Sequence, residues 1–264
     1  MPLSFIDRPR RSATDKVLMV LWWATLAGFA AMLALPFRFG LLRAGLIAAG
    51  VLLYFGAAYL LRRRPVLVTL LVAAPVAATA FLLSPGKSVD NEQLRARYVE
   101  SLQSLDGTPY VWGGETRTGI DCSGLVRGAM TEANLVEGIA TGNPVLLRNA
   151  ALLWWHDESA KALGENDRGL TQTIASAKTL NDAPYSELRP GDIAVLASGI
   201  HTLAYLGDKT WIQADPKAMR VVRTVSPTTD GWFIQDVRLL RWTQLGAQPT
   251  QVAVALPRTR PQAH

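Results

Sequence analysis

The most informative stretch of the chain is residues 110–126, Tyr110-Val-Trp-Gly-Gly-Glu-Thr-Arg-Thr-Gly-Ile-Asp-Cys-Ser-Gly-Leu-Val126. It contains Cys122, the only cysteine among 264 residues. Glycines punctuate its first half as in a tight turn, and an amphipathic helix is predicted from Ser123 to Leu135. The free N–H groups and the dipole at a helix start favour a thiolate and also suit an oxyanion. The stretch therefore predicts that Cys122 is a nucleophile at a helix N-terminus.

A cysteine nucleophile also needs a base and a group that orients the base. The histidines of the chain are His156, His201 and His264. His201 begins an alternating strand, and Gln213 follows twelve residues later, across a predicted hairpin that places both on one face of a sheet. We predict that His201 is the base and that Gln213 fixes its tautomer, with Asp215 as the rival for that position. His156 is expected to be structural or exposed.

Apolar runs dominate the N-terminal third of the sequence. They cover residues 17–35, 44–61 and 66–83, contain no charged residue, and have the length of a membrane-spanning helix. Residues 1–88 carry ten Lys/Arg and two Asp, whereas the remainder carries 17 Lys/Arg and 19 Asp/Glu. The positive charge therefore belongs to the membrane part and does not indicate nucleic-acid binding.

The basic residues also predict a topology. One group precedes the first run and a second group separates the other two runs; they are Arg8, Arg10, Arg11 and Lys16, and Arg62, Arg63 and Arg64. The positive-inside rule makes both groups cytoplasmic, although Arg38 and Arg43 lie in the opposite loop. Three spans with the N-terminus inside would place residues 84–264 on the outer side of the membrane. Two spans would leave them in the cytoplasm.

The soluble part is predicted to be helical first and β-rich afterwards. A helix is expected over 91–105, and strands over 193–196, 201–206, 211–214, 221–225 and 233–242. This order gives an α+β class. The predicted divisions are a membrane anchor at 1–83, a linker at 84–90, a hydrolase domain at 91–247 and a loosely ordered tail at 248–264.

These motifs resemble the NlpC-type papain-like cysteine peptidases of bacterial cell walls. The resemblance rests on the 110–126 stretch, on Leu-Arg-Pro-Gly-Asp-Ile at 188–193, and on the strands from His201 to Gln213. It covers residues 91–242 and implies a helical half that carries the nucleophile and an antiparallel sheet that carries the base. It also implies that Cys122 is the nucleophile, His201 the base and Gln213 the third polar residue.

The resemblance further implies a substrate. Tyr110, Asp121 and Ser123 match positions that bind the free amino end of a stem peptide, and a carboxylate facing an ammonium is physically sensible. Similar enzymes cut between γ-D-glutamate and the diamino acid of peptidoglycan. The implied partners are peptidoglycan or a muropeptide and the lipid bilayer. No cofactor is expected, and no metal, because three scattered histidines and one cysteine do not form a ligand cluster.

Two departures from the family pattern leave alternatives open. Cys122 and His201 are 79 positions apart, more than is usual, and the excess is an insertion at 136–171 that contains the apolar stretch 145–155. No wall-binding repeat module is recognisable. The alternatives are a thiol acyl hydrolase or acyltransferase acting on a lipid-linked substrate, and a catalytically idle wall-binding module.

Overall fold

The computed structural model describes residues 12–246. The chain forms two compact units: one holds the first 80 residues without the segment Pro36–Phe39, and the other holds that segment and the chain from Phe81. The predicted tail at 248–264 and the basic residues Arg8, Arg10 and Arg11 lie outside the described residues.

The first unit consists of apolar helices. They are α1 (Ala13–Ala34), α2 (Gly40–Leu61) and α3 (Pro65–Leu83), whose last turn belongs to the second unit. Each is long and apolar enough to cross a membrane. The side chain of Ser12 caps α1, and Arg62 at the end of α2 forms a 2.8 Å ion pair with Asp15 in the first turn of α1. The prediction of three apolar helices is confirmed.

The second unit combines helices with antiparallel strands. Its helices are α4 (Asn91–Ser104), α5 (Cys122–Thr141), α6 (Pro144–Trp155), α7 (Ala160–Gly164) and α8 (Thr243–Gly246). A small hairpin pairs β1 (Glu115–Thr116) with β2 (Gly119–Ile120). The main strands are β3 (Thr171–Ala177), β4 (Ile193–Leu196), β5 (Thr202–Gly207), β6 (Thr210–Asp215), β7 (Arg220–Val225) and β8 (Val237–Trp242).

The main sheet has the strand order β3-β8-β4-β5-β6-β7, with every neighbouring pair antiparallel. Alternate residues supply the two sheet faces, so Ile193 and Ile212 pack with α4, α5 and α6 while Leu203 and Trp211 pack with the chain that joins β3 to β4. Asp208 and Lys209 have positive φ, as the predicted β5–β6 hairpin turn requires. The α+β fold class is confirmed.

Some elements and boundaries differ from the prediction. Helix α5 continues to Thr141, so the predicted start of the insertion at 136 lies inside it. Residues 233–236 are a loop rather than the start of a strand, because the ring of Phe233 is buried in the core below the sheet. Strand β3 was not predicted, since its small and polar side chains lack a clear alternation and it pairs only with β8 at the sheet edge.

A buried ion pair connects the turn before β4 to β8. Asp192 is fully buried, and its two carboxylate oxygens accept bonds of 2.7 Å from Nε and Nη2 of Arg241. The backbone N–H of Arg189 donates to the same carboxylate at 2.7 Å. The acidic residue of the Leu-Arg-Pro-Gly-Asp motif is therefore structural and holds the motif against the sheet.

We expect Asp192→Ala to lower the free energy of unfolding by about 3 kcal/mol, because it leaves Arg241 without its bidentate partner. The matched control is Asp106→Ala, which breaks a half-exposed 2.8 Å pair with Arg223 and should cost less than about 1 kcal/mol. Thermal unfolding of the full chain in detergent measures both losses. Equal losses would show that the buried pair does not hold the sheet together.

Candidate active site

The carboxylate of Asp121 caps α5 and fixes the turn before it. Oδ1 accepts a 2.6 Å bond from the N–H of Gly124 and a 3.0 Å bond from the hydroxyl of Ser123, and Oδ2 accepts a 2.9 Å bond from the N–H of Gly113. Cys122 is thereby the first residue of the helix. The position of Cys122 therefore depends on the Asp121 side chain, which joins the glycine turn to the first turn of α5.

The first turn of α5 packs against the backbone of the glycine turn. A Cβ at Gly124 would lie 2.1 Å from the carbonyl oxygen of Gly114, so this position accepts no side chain. Gly113 has φ of 70°, which few other residues adopt. The Gly-Gly and Ser-Gly pairs within residues 110–126 are thus explained by the close approach of the two backbone segments and by backbone conformation.

His201 and Gln213 are in direct contact. His201 immediately precedes β5 and is 2 % exposed, Gln213 in β6 is fully buried, and Nε2 of the histidine lies 2.8 Å from Oε1 of the glutamine. Because an amide oxygen only accepts, Nε2 must carry the proton, which leaves Nδ1 as the basic nitrogen. Asp215, the predicted rival, instead accepts bonds from Lys217 and Trp232.

A tryptophan that the sequence reasoning missed covers the imidazole. The ring of Trp232 stacks on His201 with centroids 4.2 Å apart and planes 22° from parallel. Its indole N–H donates to Asp215 at 3.3 Å. Trp232 lies in the loop between β7 and β8, where no periodic pattern points to a role, so only the aromatic itself was visible in the sequence.

The side chain of Cys122 lies beside the start of β5. It is partly buried, and a backbone hydrogen bond with Thr202, the neighbour of His201, acts on the thiol together with the backbone of Ser123 and of Cys122 itself. The structure therefore brings the thiol to the strand that begins next to the predicted base.

The acid–base state of this pair differs from the expectation. Burial, followed by the charge of Asp121, raises the pKa of the Cys122 thiol to about 12, whereas the backbone bonds lower it. The predicted lowering of this pKa at the helix start is wrong, because the capping carboxylate lies at the same helix end and the thiol is desolvated. Burial also lowers the pKa of His201, against the effect of its bond to Gln213. Both shifts favour the neutral forms, a thiol at Cys122 and an uncharged imidazole at His201.

The predicted substrate-binding residues lie close to Cys122: Asp121 and Ser123 flank it in the chain, and the charge of Cys122 acts on Tyr110. Tyr110 is partly exposed and its backbone N–H donates to Met219 at 2.9 Å. Its pKa is raised to about 12, first by burial and then by the charges of Cys122, Asp121 and Asp215. The hydroxyl of Ser123 donates to Asp121, so this hydroxyl also supports the helix cap.

An arginine in α5 connects this helix to the β1 strand and to the chain after α6. Arg127 is 2 % exposed and donates to Glu115 at 2.6 Å and to Asp157 at 3.0 Å. It also donates to the carbonyl of His156 at 3.0 Å, so His156 takes part through its backbone. Sequence reasoning missed Arg127, because a single basic residue on an amphipathic helix usually faces solvent.

The arrangement supplies groups for acyl transfer. It offers a thiol, a buried imidazole with a fixed tautomer, and backbone N–H groups at a helix start. Within residues 12–246, no three His, Cys, Asp or Glu side chains are grouped so as to hold a metal ion.

Comparison with known proteins identifies the family. The model of the NlpC/P60 family matches residues 107–241, just over half of the chain. The chain belongs to the NlpC/P60 family, whose members are cysteine peptidases and amidases that hydrolyse peptidoglycan. The predicted family resemblance is confirmed. No curated protein matches the chain.

Several solved structures are similar to this chain. NlpC1 from Trichomonas vaginalis is 17% identical, with 61% of this chain and 48% of that chain covered and a TM-score of 0.38. The NlpC/p60 domain of the peptidoglycan hydrolase SagA is 22% identical, with 55% and 97% covered and a TM-score of 0.33. The peptidoglycan hydrolase RipB from Mycobacterium tuberculosis is 20% identical, with 56% and 65% covered and a TM-score of 0.35. The chain spans about half the length of the first of these.

Replacing Asp121 by asparagine should lower the pKa of the Cys122 thiol, because the substitution removes a negative charge that disfavours the thiolate. The rate of alkylation by iodoacetamide follows the thiolate fraction. Its pH profile should therefore move to lower pH in Asp121→Asn. It should stay in place in Asp106→Asn, the control, because Asp106 pairs with Arg223 and does not act on the thiol. Because Cys122 is the only cysteine, the label reports this thiol alone. An unmoved or upward-shifted profile in Asp121→Asn would contradict the assignment.

Proposed function

We propose that this protein is a membrane-anchored cysteine hydrolase that cleaves the amide bond between γ-D-glutamate and the diamino acid of peptidoglycan stem peptides. The observation that carries the proposal is the 2.8 Å contact between His201 Nε2 and Gln213 Oε1, which leaves Nδ1 free to act on the only thiol of the chain. Membership of the NlpC/P60 family supports peptidoglycan or a muropeptide as the substrate.

In the proposed mechanism, Cys122 attacks the carbonyl carbon of the scissile amide while its proton moves to Nδ1 of His201. The backbone N–H groups at the start of α5 stabilise the oxyanion. The imidazolium then gives its proton to the leaving amine, and the C–N bond breaks to leave a thioester on Cys122. A water molecule that transfers its proton to His201 hydrolyses the thioester and restores the thiol.

We propose that Tyr110, Asp121 and Ser123 bind the free amino end of the stem peptide. Asp121 accepts three hydrogen bonds, and a carboxylate offers roughly four acceptor positions. An ammonium group there would also offset the charge that raises the pKa of Cys122. Substrate binding would thus favour ionisation of the nucleophile at the moment when it is needed.

The proposed organisation keeps the divisions expected from the sequence. They are a three-helix anchor at 1–83, a linker at 84–90, a hydrolase domain at 91–247 with an insertion at about 136–171, and a tail at 248–264. We place the hydrolase domain on the periplasmic side of the bacterial cytoplasmic membrane. In support, Lys16 and residues 62–64 lie on one side if all three helices span the membrane, and the positive-inside rule makes that side cytoplasmic. The chain after α3 then lies on the opposite side.

The substrate proposal predicts cysteine-dependent cleavage. Full-length protein in detergent, incubated with purified peptidoglycan, should release fragments with a new amino terminus on the diamino acid. Cys122→Ala and His201→Ala should each lower the rate about 10³-fold or more, because each removes a group that acts in bond breaking. Mass spectrometry of the products measures the rate and identifies the bond.

The control is Ser186→Ala, a change at an exposed turn residue, which should leave the rate unchanged. Cleavage that persists in folded Cys122→Ala would contradict the proposal. Release of a fatty acid or transfer of an acyl group would instead support the lipid-linked alternative. A folded wild-type protein that leaves both peptidoglycan and lipid intact would support the idle module.

The topology proposal predicts that Cys122 is accessible from outside the cytoplasmic membrane. A membrane-impermeant maleimide added to intact spheroplasts should label Cys122, the single thiol of the chain, as completely as it does after lysis. The thiol is partly buried, so the lysed sample defines full labelling. Labelling only after lysis would show that the domain is cytoplasmic and that only two of the helices span.

A further inference from the structure

The loop between β7 and β8 supplies a carboxylate that touches Gln213. Asp230 Oδ2 accepts a 2.9 Å hydrogen bond from Nε2 of Gln213. Its other oxygen, Oδ1, accepts a 3.1 Å bond from the backbone N–H of Trp232, and its own backbone N–H donates to the hydroxyl of Thr228 at 3.3 Å. The carboxylate is therefore held in place from its own loop and directed at the far end of the glutamine amide.

The orientation of the Gln213 amide decides which nitrogen of His201 is basic. With Oε1 toward the ring, as observed, Nε2 of the histidine donates and Nδ1 keeps its lone pair. A flipped amide would present N–H to the ring, so Nε2 would have to accept and Nδ1 would carry the proton. The flipped form would thus block the nitrogen that must receive the proton of Cys122.

Gln213 alone does not determine this choice, because the two ends of its amide have nearly the same shape. An ionised carboxylate only accepts hydrogen bonds. A flip would place the amide oxygen against Asp230 Oδ2 and leave two buried acceptors facing each other without a proton. Gln213 is fully buried, so water is not at hand to replace the lost bond.

We infer that Asp230 is a positioning residue of the reaction: through the amide of Gln213 it sets the tautomer of His201 that accepts the proton of Cys122. This inference rests on the proposed function, since it presumes that His201 is the base. Trp232, attached to the same carboxylate through its backbone N–H, stacks on the imidazole and limits ring rotation. In other hydrolytic triads a carboxylate bonded directly to the histidine fixes its tautomer. Here Gln213 contacts the histidine, and Asp230 fixes the orientation of the Gln213 amide.

A double-mutant cycle tests the inference. In Asp230→Asn the new amide can present either its oxygen or its nitrogen to Gln213, so the orientation of the Gln213 amide is no longer fixed. We expect kcat to fall about tenfold with little change in KM. Gln213→Glu places two carboxylates in contact and should also lose activity. The double variant restores the hydrogen bond between the two positions, because the amide introduced at 230 can donate to the carboxylate introduced at 213. The two oxygens of that carboxylate are equivalent, so its orientation no longer matters. Its kcat should return to within about threefold of the wild-type value.

The pH profile gives a readout that a purely structural role would not change. Besides Asp230, the charges of Asp215 and Asp121 act on His201, and both remain in the double variant. A carboxylate at 213 in contact with the ring stabilises the imidazolium, so the acid limb of kcat should move to higher pH in the double variant. The matched control is Asp215→Asn, at a carboxylate that does not touch Gln213. Any loss of kcat in this variant should not be restored by adding Gln213→Glu.

The outcomes separate the inference from the proposed function. Additive losses in the double variant, while the wild type shows Cys122-dependent cleavage, would overturn the role of Asp230 and leave the proposed function standing. A wild type without such cleavage would overturn the proposed function itself. If Asp230→Asn does not fold, the ¹⁵N chemical shifts of His201 in the wild type still decide. A proton on Nε2 is expected, and a proton on Nδ1 would refute the inference.

Discussion

The carboxylate of Asp121 is the constraint on which the rest of the site depends. It joins the N–H of Gly113 in the glycine turn to the N–H of Gly124 in the first turn of α5, and this places Cys122 at the helix start. The turn and the helix approach so closely that position 124 has no room for a side chain. The same carboxylate raises the pKa of the neighbouring thiol. One carboxylate therefore both caps α5 and shifts the pKa of the thiol that we propose as the nucleophile.

Burial favours the neutral forms of Cys122 and His201 over a preformed ion pair. Cys122 and His201 both have pKa values shifted toward the neutral form, because few polar groups replace the water that folding removes. Such a site gains a thiolate only when the base accepts its proton or when a cation approaches Asp121. The contact with Gln213 suits His201 to its proposed role as the base, since it leaves Nδ1 as the basic nitrogen.

Features that depend on neighbouring residues could be predicted from the sequence, whereas features that depend on tertiary contacts could not. The helix start after the glycine turn and the hairpin around Gly207 that brings Gln213 to His201 are local patterns, so the sequence predicted both. It did not predict that Asp121 caps α5, because that carboxylate was assigned to substrate binding. Asp230 and Trp232 were not, because they lie in a loop that tertiary contacts position, among them the bond from Asn181 to the carbonyl of Thr228. The direction of the pKa shift of Cys122 was also out of reach, since it depends on burial by segments distant in the sequence.

In the proposed mechanism, Cys122 forms a covalent acyl intermediate with a stem peptide. Rapid acid quenching of the full-length protein with a free stem peptide, followed by peptide mapping in a mass spectrometer, measures this directly. We expect a transient mass increase on the peptide that contains Cys122, equal to the L-alanyl-γ-D-glutamyl acyl group, before free product accumulates. Product formation at the full rate by protein whose Cys122 has been completely alkylated, with no acyl adduct on the chain, would contradict it.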